Sequence, residues 1–266
     1  MKIDFHTHGK LAKHLYFSEK FTNNTFDTAR RNGLDAICLT EHFNTTNFFE
    51  FYEYVDSISE RDGDCLVLEN GLRIFPGVEV DIKEGGHLLC VGKMEDILAI
   101  RKKLENCDEE DSFLSFRELT DLIDSYPVLL GAGHPFRNSE TSNIPDLPYE
   151  DLQRLDYVDL NGKDLAVEPD DMEERVRNFA ESINKPVIAG SDAHQEKHYG
   201  VVYNIFERDL NTIEGLYEEV LKSNYEIYIS DKIAETVSTA LLIKSLLKEI
   251  DALGGDYVEA ALRCKE

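Results

Sequence analysis

Short apolar runs alternate with amphipathic stretches along almost the whole chain, and this order limits the fold more than any other feature. Residues 3–6, 34–40, 73–80, 87–91, 127–132, 155–160, 186–190, 201–206 and 226–229 read as strands. Residues 25–32, 47–60, 94–104, 115–125, 170–183, 210–222 and 232–250 carry helical spacing between them. Such a succession predicts a largely parallel sheet covered by helices, either an open doubly wound sheet or a closed barrel. A chain of 266 residues suffices for one α/β barrel. Residues 1–266 are read as that single unit, with residues 207–266 as an α-rich C-terminal portion. Residues 106–112, with the run Asp108-Glu109-Glu110-Asp111, read as a solvated loop. Neither GxGxxG nor GxxxxGKS/T follows the first strand, which disfavours those two nucleotide-binding loops.

The histidines are not scattered over this frame. His6, His8, His42, His134 and His194 fall at or just past the C-terminal end of an expected strand, and His87 opens the fourth. The expected helices between residues 47 and 222 contain none. Strand C-termini form the working face of parallel α/β folds. Residues i and i+2 of an extended chain point to the same side. His6-Thr7-His8 therefore offers two imidazoles to one ion, and Asp192-Ala193-His194 offers a carboxylate and an imidazole. Glu79, at the end of an expected strand, adds a second carboxylate. Neutral imidazole and carboxylate suit Zn²⁺, Mn²⁺ and Fe²⁺ without thiolates. The candidate ligands outnumber what one tetrahedral ion accepts, so two or three divalent ions sharing bridging ligands are expected. Each residue alone has a bland reading, such as a surface histidine or a paired surface carboxylate. It is their conjunction near strand ends that carries the metal expectation.

Composition narrows the partners. The chain has 53 Asp+Glu against 28 Lys+Arg, a formal charge of −25. So acidic a surface is a poor grip for long nucleic acid and is repelled by anionic membranes. The cysteines at 38, 65, 90, 107 and 264 form no CxxC and suggest no disulfide framework. No run approaches the ~18 apolar residues of a membrane span. The first residues turn polar by His6, so no secretory leader is expected. A soluble protein of the reducing cytoplasm is the expectation; nothing in the sequence fixes its oligomeric state.

Four motifs, HTH at 6–8, TEH at 40–42, GAGHP at 131–135 and GSDAH at 190–194, resemble those of the PHP superfamily, named for polymerase and histidinol phosphatase. PGVEVD at 76–81 and HLLCVG at 87–92 are similar to the family's strands carrying a metal-bridging Glu and a further His. The resemblance spans Met1 to about Tyr199. It implies a distorted, TIM-like (β/α)7 barrel with a metal cluster, usually trinuclear, at the strand C-termini. By position it implies one ion held by His6, His8, Glu79 and Asp192. A second would lie on Glu79, His87 and His134, and a third on His14, His42 and His194. Two departures stand out: the second motif usually reads Asp-His where this chain has Glu41-His42, and His14 stands where many members have Asp.

The resemblance implies phosphoester hydrolysis, here read as attack of a metal-activated water on a small-molecule phosphomonoester. Arg137 and Lys163 are the expected phosphate-binding cations, and His198 the candidate leaving-group acid. Ser191 has no free histidine as a base, because its neighbours are assigned to metal. Two alternatives stand beside this reading. One is an amidohydrolase-like metal hydrolase, which also begins with His-x-His but ends on a lone Asp. The other is a non-catalytic metal-binding accessory domain, against which the complete ligand set argues. Which phosphoester is cleaved stays open.

Overall fold

The structure is a computed structural model that describes residues 1–137, 142–168 and 170–263. Its strands are β1 (Lys2–Thr7), β2 (Ala36–His42), β3 (Ser59–Asp62), β4 (Cys65–Leu68), β5 (Arg73–Asp81), β6 (His87–Val91), β7 (Leu129–Gly133), β8 (Tyr157–Asn161), β9 (Val187–Gly190), β10 (Val202–Phe206) and β11 (Tyr225–Ile229). Its helices are α1 (Glu19–Arg31), α2 (Phe48–Ser57), α3 (Met94–Lys103), α4 (Phe116–Ile123), α5 (Tyr149–Leu152), α6 (Gly162–Val167), α7 (Met172–Ser182), α8 (Ile213–Leu221), α9 (Ile233–Ala252) and α10 (Tyr257–Arg263).

The sheet runs β11-β10-β1-β2-β5-β6-β7-β8-β9. It curls until β9 meets β1 again. Thr7 bridges Ala193 in parallel, the Asp192 N–H donates to the His6 carbonyl at 2.7 Å, and the His8 N–H donates to the Ala193 carbonyl at 2.9 Å. Seven strands thus form the expected distorted TIM-like α/β barrel. Strand β1 serves two partners along one edge. Its first residues pair with antiparallel β10 (Lys2 opposite Ile205, Ile3 opposite Asn204), and its last pair with the segment after β9. The buried Asn204 amide stitches this split. It accepts from the Ala189 N–H at 2.9 Å and donates to the carbonyls of Ala189 and Ile3 at 2.8 and 3.1 Å.

The sheet is not uniformly parallel. Strand β6 runs antiparallel to both β5 and β7, because only a short turn joins β5 to β6 and no crossover fits there. His87, the first residue of this reversed strand, therefore lies at the same end of the barrel as the C-termini of the others. A second difference concerns residues 47–60. Helix α2 stops at Ser57, and Ser59–Asp62 turns back as β3, paired with β4 in a hairpin against β5. Helix α1 starts at Glu19, where the Ser18 side chain accepts from the Phe21 N–H. This is more than a turn and a half before the expected start at residue 25, as a capping serine permits despite a Thr- and Asn-rich sequence.

Ile3, Phe5, Cys38, Phe75, Leu89, Leu129, Tyr157 and Ile188 fill the barrel interior together. Two residues further toward the ligand end on β5, β6 and β8 stand Gly77, His87 and Asp159, and one step beyond Gly77 is Glu79. The period-2 geometry that buries the interior thus also aims the site residues. Close packing needs Gly131, where an added Cβ would lie 2.2 Å from the Tyr157 ring. The outer faces pack under the helices in a larger core containing Ile37, Ile74, Val78, Leu88, Val158 and Ala189. Residues beyond 207 join the same body: Leu210, Ile213, Leu216 and Val220 pack with the interior cluster. Residues 106–112 are a surface loop tied to the body, with the Asp108 carboxylate 3.1 Å from Arg101. Cys38, Cys65 and Cys90 are buried and Cys107 partly so, all as free thiols; Cys264 lies outside the described residues. No helix among those residues is long and apolar enough to cross a membrane.

Candidate metal centre

The ligand ends of the barrel strands bring His6 and His8, His42, Glu79, His87, His134, Asp192 and His194 into one buried cluster. Glu79 is its hub. Its Oε2 lies 3.5 Å from His6 Nε2, 3.4 Å from His8 Nε2 and 3.0 Å from His42 Nδ1. Its Oε1 lies 2.6 Å from His87 Nδ1 and 3.0 Å from His134 Nε2. Asp192 Oδ1 completes the first group, 3.3 Å from His8 Nε2 and 3.9 Å from His6 Nε2. Two donors on a tetrahedral ion with bonds of ~2.1 Å stand ~3.4 Å apart. The His6–Glu79, His8–Glu79 and His8–Asp192 separations have that spacing, and His6–Asp192 is wider at 3.9 Å.

Hydrogen bonding points the same way. His6 Nε2, His8 Nε2, His42 Nδ1 and Glu79 Oε2 are buried and have no hydrogen-bond partner. Leaving so many polar atoms unpaired in one place is costly unless something binds them together. Three sets of donors come within reach of a common ion: His6, His8 and Asp192; His6, Glu79 and His134; and His8, His42 and His194. His87 Nδ1 converges on the second set, 3.0 Å from His134 Nε2. The third set differs from expectation. His14 is exposed on the loop after β1 and joins none of the three groups; His8 takes its place, its ring stacked on His194 at 3.9 Å.

The ring nitrogens facing away from the cluster are held by groups of which the sequence reading singled out only Glu41, and gave it no role. His6 Nδ1 lies 3.0 Å from the buried Asp159 carboxylate, which also accepts from the His134 N–H at 3.1 Å and from the Asn161 amide at 3.1 Å. His194 Nδ1 lies 3.1 Å from the Lys10 carbonyl. His87 Nε2 lies 2.7 Å from Asp81. Glu41 stands 3.5 Å from His8 Nδ1 and accepts from the Gly9 N–H at 3.2 Å. Such partners fix tautomer and ring orientation around metals. The backbone is strained at two of the candidate ligands: His134 has φ 28° and Asp192 φ 59°, a region costly for residues with a Cβ.

Comparison with known proteins bears on the fold. The PHP_C family, described as PHP-associated, matches residues 173–225, which carries the likeness past Tyr199. The chain has the PHP fold. PsfC from Pseudomonas syringae PB-5123 is similar, with a TM-score of 0.75 and 20% identity over 92% of this chain and 98% of that one. The lesion-specific endonuclease PfuEndoQ from Pyrococcus furiosus is similar, with a TM-score of 0.63 and 18% identity over 85% of this chain and 57% of that one. Endonuclease Q in complex with a 27-mer duplex carrying an abasic lesion gives 0.60 and 17% over 86% and 58%. The PHP barrel thus spans a little over half of the endonuclease chain. No curated protein matches the chain.

The charges of this PHP barrel suit cations. Burial pushes Glu79 up, but the imidazoles of His42, His87 and His6 outweigh it and hold the carboxyl well below the usual range. Burial acts likewise on Asp192, and Arg137 with His194 and His8 overcomes it, so Asp192 is also ionised. Burial holds His134 and His194 well below the usual imidazole range, helped by Arg137 and by His8 respectively. His6, His8 and His87 are pushed up despite their burial, by Glu79 and its neighbouring carboxylates, His87 to about 9.

Around this cluster lie the expected substrate residues. Arg137 is committed to the protein: Nη2 lies 2.7 Å from Asp192 and 2.9 Å from Asn161, and Nε 2.8 Å from Asp164. It therefore steadies a candidate ligand, whatever else it does. Lys163 and His198 line a small cavity beside Asp192 and His194. His198 is buried, and burial with nearby Lys163, Lys244 and Arg137 lowers its pKa to about 4. A leaving-group acid must carry a proton, so the neutral His198 of this structure does not fit that expectation. The unexpected member is Lys244, from α9. Its sequence signal is a lysine on the helix stripe Val237, Ala240, Leu247, where an apolar residue is the rule.

Proposed function

We propose that the chain is a metal-dependent hydrolase that cleaves a small-molecule phosphomonoester. The carrying observation is the set of unpartnered donors from His6, His8, His42 and Glu79, which with His134, Asp192 and His194 form three groups, each within reach of a common ion. Two or three dications of Zn²⁺, Mn²⁺ or Fe²⁺ type fit this nitrogen and oxygen set. When bound they supply Lewis acidity and a water nucleophile at neutral pH. Glu79, with one oxygen toward His6, His8 and His42 and the other toward His87 and His134, would be the ligand that the ions share. Asp159, Glu41 and the Lys10 carbonyl hold the Nδ1 atoms of His6, His8 and His194, which face away from the cluster. No side-chain nucleophile is needed. The Ser191 hydroxyl is buried, 3.4 Å from the His6 carbonyl, and accepts from the Ala193 N–H at 3.2 Å.

A small substrate is favoured over a nucleic acid by the charge of −25, which offers no broad cationic track for a phosphate backbone. The buried cysteines suit a reducing compartment, and we assign the protein to the cytoplasm on that ground. The test is a substrate panel with chelator-treated and metal-reconstituted protein: phosphorylated metabolites, p-nitrophenyl phosphate, bis(p-nitrophenyl) phosphate and an abasic-site duplex. Metal-dependent release of phosphate from monoesters is expected. Cleavage confined to the diester or the duplex would overturn the monoester reading, and inactivity on all of them would overturn the hydrolase reading.

A further inference from the structure

Between α6, α9 and the turn at Glu196–His198 lies a niche of about 10 Å³, lined by Lys163, Asp192, His194, Gln195, His198 and Lys244 among others. That is room for one water-sized atom. It opens beside two of the candidate metal ligands. Its lining is unusual for a chain this acidic. Most cations described here are paired with carboxylates, yet neither the Lys163 nor the Lys244 ammonium has an ion-pair or hydrogen-bond partner among the described residues. His198 is 3% exposed and its Nε2 is without a partner.

Lys244 reaches the niche because of where it sits on its helix. Val237, Ala240 and Leu247 are the buried residues of α9. Position 244 follows Val237 by seven and precedes Leu247 by three, on the same face. A lysine there forgoes apolar packing and leaves a charge half-buried, a cost that an anion would offset.

We propose that Lys163, Lys244 and the His198 imidazole form an oxyanion niche that takes one non-bridging oxygen of a phosphate held at the metal cluster, so that α9 is part of the active site. This rests on the phosphoesterase reading and names how the substrate is recognised. Two ammoniums favour the dianion of a monoester over the monoanion of a diester. The oxygen-sized niche also leaves no space on that side for a second ester arm.

The test uses metal-loaded protein and inorganic phosphate as the probe, with binding followed by calorimetry and metal content measured in parallel. Lys244→Met is expected to weaken phosphate binding about tenfold, the scale of a lost charge-assisted hydrogen bond. It should also raise KM for p-nitrophenyl phosphate similarly, with metal content unchanged. Lys244→Arg should recover most of the loss, and Lys163→Met should act in the same direction. Phosphate affinity within twofold of wild type in Lys244→Met overturns the niche. So does a parallel loss of metal, which would make Lys244 a support of the ligands. The two readings fail separately: wild-type protein that binds phosphate tightly through Lys244 but cleaves no ester refutes the hydrolase and supports the niche.

Discussion

The Asp159 carboxylate lies 3.0 Å from Nδ1 of His6, on the side of the ring opposite the unpartnered Nε2 that faces Glu79. Both residues are sealed from solvent. Asp159 therefore fixes which nitrogen His6 offers, and its bond to the His134 N–H ties a second candidate ligand to the same group. Asp159→Ala removes no ligand. It should nonetheless lower metal affinity by roughly 10- to 100-fold, the usual effect of losing such a partner. Competition with a chromophoric chelator measures this; an affinity equal to wild type would remove Asp159 from the account.

Arg137 bridges Asp192 and Asp164. Replacing it with alanine leaves both carboxylates without their guanidinium. The expected loss of stability is about 3 kcal/mol, typical when one member of a buried ion pair is removed. Bound dications compensate Asp192 but not Asp164. The loss should therefore be smaller in metal-loaded than in chelated protein when urea unfolding is compared. Equal losses in both states would show that Asp192 is not a ligand.

Closure of the barrel depends on Gly190. An added Cβ there would stand 2.3 Å from His6 Cβ and 2.8 Å from its backbone nitrogen. No flexible side chain can yield, so β9 must move off β1. Gly190→Ala should destabilise the fold by about 3 kcal/mol, the upper end for overpacking, and carry His6 and Asp192 out of register. A urea midpoint unchanged from wild type would contradict the observed β1–β9 approach.

Metal binding should release protons at pH 7. Glu79 and Asp192 are already ionised and His134 and His194 already neutral, so they contribute none. His6, His8 and His87 are pushed upward, His87 to about 9, and each must deprotonate to ligate. Affinity should then rise with pH, His87 contributing its part up to about 9. In metal-free protein the sign for stability is opposite. His87 is raised above its unfolded value, so its stabilising contribution is full below the unfolded pKa and is lost as pH climbs through about 9. Zinc titration in two buffers of different ionisation enthalpy gives the proton count. A count of zero would contradict these protonation states.

What the sequence disclosed and what it withheld have physical reasons. The pair His6/His8 was legible because period-2 spacing at the end of β1 places both side chains on one face. Asp192 and His194 lie past the end of β9, with Asp192 at φ 59°, so the turn and not the strand period brings them together. The alternation of strands and helices disclosed a largely parallel sheet under helices but not its closure, which the motif resemblance supplied. The reversal of β6 was hidden: a strand's direction depends on what it pairs with, and His87-Leu88-Leu89-Cys90-Val91 reads the same either way. The β3 strand was hidden because Ser59-Glu60-Arg61-Asp62 is polar throughout and carries no period-2 apolar pattern. Asp159 sits in an ordinary strand pattern, and only the fold brings it to His6. Lys244 lies 50 residues from His194 in a segment without any metal motif. His14 is the converse, a residue assigned by position in a motif that the folded loop leaves exposed.

The most direct test is the metal stoichiometry of the protein itself. Chelator-treated chain, equilibrated with Zn²⁺, Mn²⁺ or Fe²⁺ and dialysed, is analysed for metal per chain alongside Glu79→Gln. Two or three equivalents are expected for the wild type, falling to one or fewer when Glu79 no longer bridges. Less than half an equivalent in the wild type with every metal tried would contradict the cluster, and with it the proposed chemistry.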